Sequence, residues 1–219
     1  MDCNFLSKTN LFRGISEQEI DTMLKCLQTE LRRYGKGEVV LRAGDQTRRM
    51  GLVLSGSVQI ENDDVWGNKS ILDRVGDGQV FAETYACMPG ETLMVSVAAA
   101  EAAEILFLDV ERVLKTCPDA CSYHSRLIRN LLMISAQKNL NLSRRIFHTS
   151  SKTIRGRLLS YLSYEASRAG SCEFTIPFNR QQLADYLSVD RSAMSAEIGR
   201  MQREGLLRSE KNYFCLYRG

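Results

Sequence analysis

A chain of 219 residues, 44% hydrophobic and 25% charged, with three prolines and fifteen glycines, is globular in makeup and excludes disordered, collagenous and low-complexity classes. The net charge of +3 is a small difference between unlike parts: residues 1–121 hold 13 Lys/Arg against 19 Asp/Glu and residues 122–219 hold 16 against 7, which is −6 followed by +9. An acidic front and a basic back suggest two domains with different partners, the basic one suited to a polyanion. No apolar run approaches the roughly 18–20 residues of a membrane span, and Met1-Asp2-Cys3-Asn4 does not open a basic-then-apolar leader, so a cytoplasmic protein without membrane contact is expected.

In chain order, Ser16-Glu-Gln-Glu19 has the form of a capping box, and Ile20, Leu24 and Leu27 follow at helical spacing. From Gly35 the pattern shortens to strands at 39–41, 51–54, 57–60, 70–72, 95–97 and 104–108. Turn signals separate them: Ala43-Gly-Asp45, Ser55-Gly56, Trp66-Gly-Asn68, Gly76-Asp-Gly78 and Pro89-Gly90. Regular short intervals of this kind predict an antiparallel sandwich or small barrel with short helices at both ends.

Helix returns from Ser122 to about Phe147. Ile128, Leu132, Ser135, Asn139, Leu142 and Ile146 recur at alternating spacings of four and three, a heptad seam, while Leu127, Leu131 and Ile134 form a second apolar flank. One flank can lie on the barrel while the seam meets a second copy, with Asn139 setting register; the alternative is a single amphipathic core helix. The expected dimer residues are Ile128, Leu132, Asn139, Leu142 and Ile146. His148-Thr-Ser-Ser-Lys152 breaks the periodicity and reads as a hinge, giving domains at 1–121 and 148–219 joined by the helix 122–147. A helix over 153–168 then ends at Ala169-Gly170-Ser171, before a short strand at 173–176.

Asn179 to Glu204 is the most specific stretch. Asn179 with Gln182 can cap a helix whose inner face is Leu183, Ala184 and Leu187. Ser188-Val189-Asp190 makes a tight turn, and Asp190 caps a second helix with Met194, Ile198 and Met201 inward. Arg191, Ser192, Ser195, Ala196 and Gly199 are left on the outer face near the helix start. A small polar face opened by an arginine suits a major-groove recognition helix, and the free N–H groups at that end favour phosphate. Residues 205–217 then read as strand, Lys211-Asn212 turn, strand: a basic-tipped wing.

With these residues in view, the chain resembles the family of cyclic-AMP receptor protein and FNR transcription regulators over nearly its full length. The resemblance rests on Gly-Glu-Val-Val-Leu-Arg-Ala-Gly-Asp45, Val-Leu-Ser-Gly-Ser-Val-Gln-Ile60, Gly-Asp-Gly-Gln-Val-Phe-Ala-Glu83, the long helix, and Asn-Arg-Gln-Gln-Leu-Ala-Asp-Tyr-Leu-Ser-Val-Asp-Arg-Ser-Ala-Met194. It implies an α+β chain with an N-terminal antiparallel β-roll, cupin-like and of the cyclic-nucleotide-binding type, a dimerisation helix and a C-terminal winged helix-turn-helix. The implied partners are a two-fold symmetric double-stranded DNA site, RNA polymerase, a second copy of the chain and a small-molecule effector. The candidate DNA-contacting residues are Arg180, Gln181, Arg191, Ser192, Ser195, Ala196 and Lys211.

Departures from the family pattern narrow the effector. Members that bind cyclic nucleotides use a Glu for the ribose and an Arg-Ser or Arg-Thr pair for the phosphate. Glu83 stands at the first position, but the later pair falls on Leu93-Met94. A cyclic phosphate there lacks its cationic fork, at a cost on the order of several kcal/mol for an unpaired buried charge. The pocket is expected to be apolar, lined by Tyr85, Leu93, Met94 and the long-helix residue Leu142 beside Glu83, with Arg74 the one displaced cation within reach. The cofactor is left unknown. Seven cysteines, at 3, 26, 87, 117, 121, 172 and 215, lack CxxC spacing or the N-terminal clustering of an iron–sulfur site, so no metal is assigned and most are expected to be small buried hydrophobes. Cys87 could be a redox or haem ligand, but a buried apolar thiol is expected. Only His124 and His148 could ligate a haem, and two histidines do not furnish the metal site of a cupin-like enzyme, so no catalysis is expected. A regulatory cyclic-nucleotide module of some other kind of protein is opposed by Leu93-Met94 and by the wing.

Overall fold

The computed structural model describes residues 2–63, 69–115 and 122–217; the Trp66-Gly-Asn68 turn and the thiols of Cys117 and Cys121 lie outside them. The chain forms two compact units, Met1–Gln137 and Lys138–Gly219, and the division falls inside the long helix. It is an α+β protein.

The first unit opens with α1 (Cys3–Lys8) and α2 (Glu17–Cys26) and continues through β1 (Glu30–Tyr34), β2 (Val39–Leu41), β3 (Arg49–Ser55), β4 (Val58–Asp63) and β5 (Lys69–Val75). After β6 (Val80–Phe81) come α3 (Glu83–Ala86), β7 (Ser96–Ala99), β8 (Ala103–Asp109), α4 (Val110–Leu114) and α5 (Ser122–Thr149). The strands make two antiparallel sheets, in the orders β1-β8-β3-β6 and β2-β7-β4-β5. Helix α2 begins where the capping box places it: the Ser16 hydroxyl accepts from the Glu19 N–H, and the Glu19 carboxylate accepts from the Ser16 N–H at 2.8 Å. Strand β1 escaped the sequence reading because it is an edge strand whose Leu31, Arg32 and Arg33 face solvent, leaving no apolar alternation to detect.

Strand β8 shows why its run of apolar residues is continuous. Its side chains alternate, so Ile105 and Phe107 enter the core between the sheets while Leu106 and Leu108 pack beneath α1, α2 and α5. Strand β3 follows the same rule, with Val53 inward and Met50 and Leu52 toward the helices. Leu127 and Leu131 of α5 are buried in that outer core, as expected for the flank that lies on the roll. Gly51, inward on β3, is required sterically: a Cβ there would run into the ring of Phe81, which packs edge-on against Phe107.

In the second unit, α6 (Ile154–Ala169), β9 (Glu173–Thr175), α7 (Arg180–Leu187), α8 (Arg191–Arg203), β10 (Leu207–Glu210) and β11 (Tyr213–Leu216) enclose a core of their own. Leu158 and Leu162 of α6 meet Leu183 and Leu187 of α7, Met194, Ile198 and Met201 of α8, and Phe214 of β11. The three strands pair antiparallel in the order β10-β11-β9.

His148 corrects the hinge reading. It belongs to the last turn of α5 and is only 1% exposed. Its ring lies 5.3–6.2 Å, centroid to centroid, from Tyr161, Tyr164 and Tyr186, and its Nδ1 is 3.0 Å from the Ser160 hydroxyl. Its Nε2 and the buried Tyr161 hydroxyl have no hydrogen-bond partner among the described residues. The cysteines differ as well: of the five described, Cys26 and Cys172 are exposed and Cys3, Cys87 and Cys215 half-buried.

Two consequences for stability are testable. Gly51→Ala should lower stability by roughly 1–3 kcal/mol, the usual cost of overpacking a core, read as a reduced urea midpoint. Burial holds the His148 pKa below its ordinary value, so the folded chain favours the neutral ring. Unfolded, the ring protonates near pH 6.5; its stabilisation is therefore complete above about pH 6.5 and is lost as pH falls toward the depressed folded value. Melting curves from pH 7 to 5 should show a falling midpoint that is flatter in His148→Phe.

Candidate nucleic-acid interface and effector pocket

Helix α7 is capped at both ends by its own sequence. Asn179 accepts from the Gln182 N–H at 2.9 Å, and the Gln182 side chain accepts from the Asn179 N–H at 2.9 Å. At the other end Ser188 is left-handed, with φ of 54°, and closes the helix with its N–H on the Ala184 and Asp185 carbonyls. Asp190 then caps α8 by accepting from the Ala193 N–H at 2.7 Å. The turn between the helices is thus written in local chemistry.

The outer face of α8 has the expected membership. Arg191, Ser192, Ser195 and Ala196 are exposed, while Met194, Glu197, Ile198 and Met201 are buried. Among the described residues no hydrogen bond or ion pair holds the Arg191 guanidinium. The Ser192 hydroxyl donates to Asp190, and that of Ser195 to the Arg191 carbonyl at 2.9 Å. Gly199 leaves open space where a side chain would stand. Gln181 is exposed on α7 and donates to Asp185 at 2.9 Å; Lys211, exposed with φ of 51°, makes the tip of the β10–β11 turn.

Arg180 departs from the outward set. Its guanidinium lies 5.0 Å from the Phe214 ring centre and donates to the Ser209 hydroxyl at 2.9 Å, with Nη1 buried and without a hydrogen-bond partner among the described residues. Desolvation lowers its pKa from the usual arginine value. Its placement ties the start of α7 to the wing instead of leaving the cation free for phosphate.

Sequence reasoning missed the arginines that hold the helix pair. Arg145 donates to the Tyr186 and Asp185 carbonyls at 3.1 and 3.0 Å, and Arg157 to those of Leu187 and Ser188 at 3.0 and 2.8 Å. Both reach the C-terminal carbonyls of α7, where the helix runs out of its own N–H donors, and at Asp185 Arg145 adds to the bond already made by the Ser188 N–H. Arg155 grips Glu204 with two bonds of 2.8 Å and Glu197 with one of 2.6 Å, fixing α8 by the side away from its outer face. Nothing local marks these residues, because their partners lie 30 to 49 positions away.

In the β-roll, Glu83 is 3% exposed and begins α3, just after the left-handed Ala82. Leu93 is buried, and its backbone pairs with Gly44 and Asp45 at 2.8 Å each. The Tyr85 hydroxyl accepts from the Met94 N–H at 3.4 Å, but the Met94 side chain is 76% exposed, so it is not the apolar wall expected of it. It lies at a bend ahead of β7, outside the regular strands. Leu142 is exposed and belongs to the second unit. Arg74 is engaged elsewhere, donating to Ser57 at 2.7 Å and Glu101 at 2.9 Å. A second buried carboxylate, Glu61, accepts from the Gln59 amide; the strand pattern gave no hint of it, because a β-bulge at Ile60/Glu61 resets the alternation. Burial and the neighbouring Glu83 push the Cys87 thiol pKa up.

Along α5 the seam residues Leu132, Leu142 and Ile146 are 67%, 59% and 68% exposed, Asn139 is exposed, and Ile128 packs partly against the first unit's core. Both histidines are packed inside, His124 with its Nε2 2.8 Å from the Val113 carbonyl. Among the described residues no group of three or more His, Cys, Asp or Glu is placed to hold a metal ion. No helix among them is long and apolar enough to cross a membrane.

Comparison with known proteins agrees with this geometry. The cyclic nucleotide-binding domain matches residues 31–119, and the Crp-like helix-turn-helix domain matches residues 156–216. The cyclic AMP receptor protein of Thermus thermophilus is 26% identical over 86% of this chain and 78% of its own length. Among solved structures, CprK complexed with OCPA superposes with a TM-score of 0.62 at 16% identity, covering 90% of this chain and 92% of that one. The c-di-GMP responsive global regulator CLP of Xanthomonas campestris gives 0.55 at 20% identity, covering 91% and 98%. With a roll of the nucleotide-binding kind and a Crp-like helix-turn-helix on one chain, the protein belongs to the CRP/FNR family of transcription regulators.

Proposed function

We propose that the protein is a homodimeric, sequence-specific DNA-binding regulator whose β-roll senses a small molecule other than cyclic AMP. The observation that carries the DNA reading is the outer face of α8: a free arginine at the helix start, followed by small residues that let the helix sink into a major groove. The other members of the contact set are Gln181, Ser192, Ser195, Ala196 and the wing-tip Lys211, with Arg180 kept for positioning the wing. Ser192 and Ser195 already use their hydroxyl protons within the helix and so present acceptor lone pairs outward. RNA polymerase is the natural second macromolecular partner of such a regulator, and the cytoplasm its compartment.

Dimerisation is supported by Leu132, Leu142 and Ile146, which stand in solvent at heptad spacing while Leu127 and Leu131 of the same helix are buried. Effector gating then follows the family logic, in which two packings of the paired helices present the recognition helices differently. The domains are proposed as roll (1–121), helix and winged helix to residue 219, with the helix running on from 122 to Thr149 where the sequence reading ended it at 147. The Thermus relative is named for cyclic AMP and the Xanthomonas neighbour for c-di-GMP. In this chain Leu93 and Met94 stand where the resemblance puts the phosphate clamp, which leaves that position without a cationic fork, and Arg74 donates instead to Ser57 and Glu101.

Selection of bound duplexes from random DNA by the purified chain tests this reading and should return a two-fold symmetric site. Arg191→Ala should lose discrimination at one base position of each half-site, by roughly 1–3 kcal/mol. The parent's log affinity should fall with log salt by about 0.9 per phosphate neutralised. Arg191→Ala binding every duplex as the parent does would remove α8 from the recognition role. Replacing Leu132 and Leu142 together by Lys should give monomers in sedimentation that bind DNA poorly. Calorimetric titration should detect no micromolar cyclic AMP binding.

A further inference from the structure

We propose that the β-roll carries a second ligand site, a cleft that takes a small carboxylate with a flat apolar body, at the open edge between β1 and β2. Strand register builds it. Phe107 of β8 lies opposite Glu30 of β1 on one side and Gly51 of β3 on the other. Residues two apart share a face, so Arg32, next to Glu30, and Arg49, next to Gly51, are placed diagonally about the Phe107 ring. Val40 and Leu41 of β2 and Thr47 complete a cleft of about 100 Å³ whose floor is apolar and whose rim is cationic. The Arg32 guanidinium stands 5.8 Å from the Phe107 ring centre.

The chain's own Glu30 reports what the rim recognises. One carboxylate oxygen accepts from Arg32 Nε at 2.6 Å, and the other accepts from Arg49 Nη1. Two guanidiniums converging on the two oxygens of one carboxylate form a slot of carboxylate shape. The Glu30 side chain is 38% exposed and those of Arg32 and Arg49 54% and 45%, so this pairing competes with water and holds Glu30 only weakly. Glu30 is thus a tethered plug that an incoming carboxylate can displace. What the plug lacks is an apolar body, and the Phe107, Val40 and Leu41 floor beside it is what such a body would cover. Thr47 contributes shape and not a free hydroxyl, since its Oγ1 donates to the Arg49 carbonyl and accepts from the Arg49 N–H. The lining shares no residue with the Glu83, Tyr85, Leu93 and Met94 set, so this site stands or falls apart from the effector reading above.

Calorimetric titration of the full-length chain with benzoate tests the site. The parent should bind weakly, and Glu30→Gln, which removes the competing charge, should bind about tenfold more tightly. Arg49→Gln and Arg32→Gln should each lose about tenfold relative to the parent, with melting temperatures unchanged because both side chains reach solvent. Benzamide, the same ring without the charge, should give no heat, and inorganic phosphate should bind less tightly than benzoate. Absence of benzoate binding to a folded Glu30→Gln chain overturns the proposal, as does equal affinity in the two arginine variants and the parent. Phosphate binding as tight as benzoate overturns the carboxylate assignment.

Discussion

The recognition end of this protein depends on arginines donating to the open end of a helix. Every α-helix leaves its last carbonyls without partners, and α7 ends in the turn that sets the angle between the two helices of the DNA-reading pair. Arg145 from the end of α5 and Arg157 from the start of α6 fill that end, binding four successive carbonyls from Asp185 to Ser188. A cation at a helix C-terminus also meets the negative end of its dipole. The turn is thereby held by elements outside it, α6 at Leu187 and Ser188 and α5 at Asp185 and Tyr186.

The same observation revises the meaning of the basic C-terminal segment. Its +9 charge does not all face outward. Arg145, Arg155, Arg157 and Arg180 are turned to carbonyls, carboxylates, a serine hydroxyl or an aromatic ring of their own unit. Arg155 between Glu197 and Glu204 sets the back of α8, so the front can be left to Arg191 and small residues. Steering of DNA depends on the remaining exposed cations, and specificity on very few of them.

In the β-roll the governing constraint is steric. Phe81 occupies the space that a side chain at residue 51 would need, and its ring meets Phe107, which also carries Arg32 on its solvent edge. Buried Glu61 and Glu83 introduce acid in a unit whose cations Arg32, Arg49 and Arg74 are each paired with carboxylates at its surface.

Much of this was legible in residue order because it is local. Ser16 with Glu19, Asn179 with Gln182, Asp190, and the 3–4 spacing of Met194, Ile198 and Met201 each involve neighbours within a turn or two, and each stands where the pattern placed it. The ordered motifs from Gly37 to Met194 were likewise enough to place the family. What only the tertiary structure decided is which face a charged or amphipathic side chain meets. Arg180 turns inward onto Phe214, His148 is buried among tyrosines where the broken periodicity suggested a hinge, Met94 points to solvent, and Glu61 is buried after a bulge. A long polar side chain can satisfy its charge either in water or on a partner dozens of residues away. Composition and periodicity are the same in both cases, and only the packed chain brings the partner into reach.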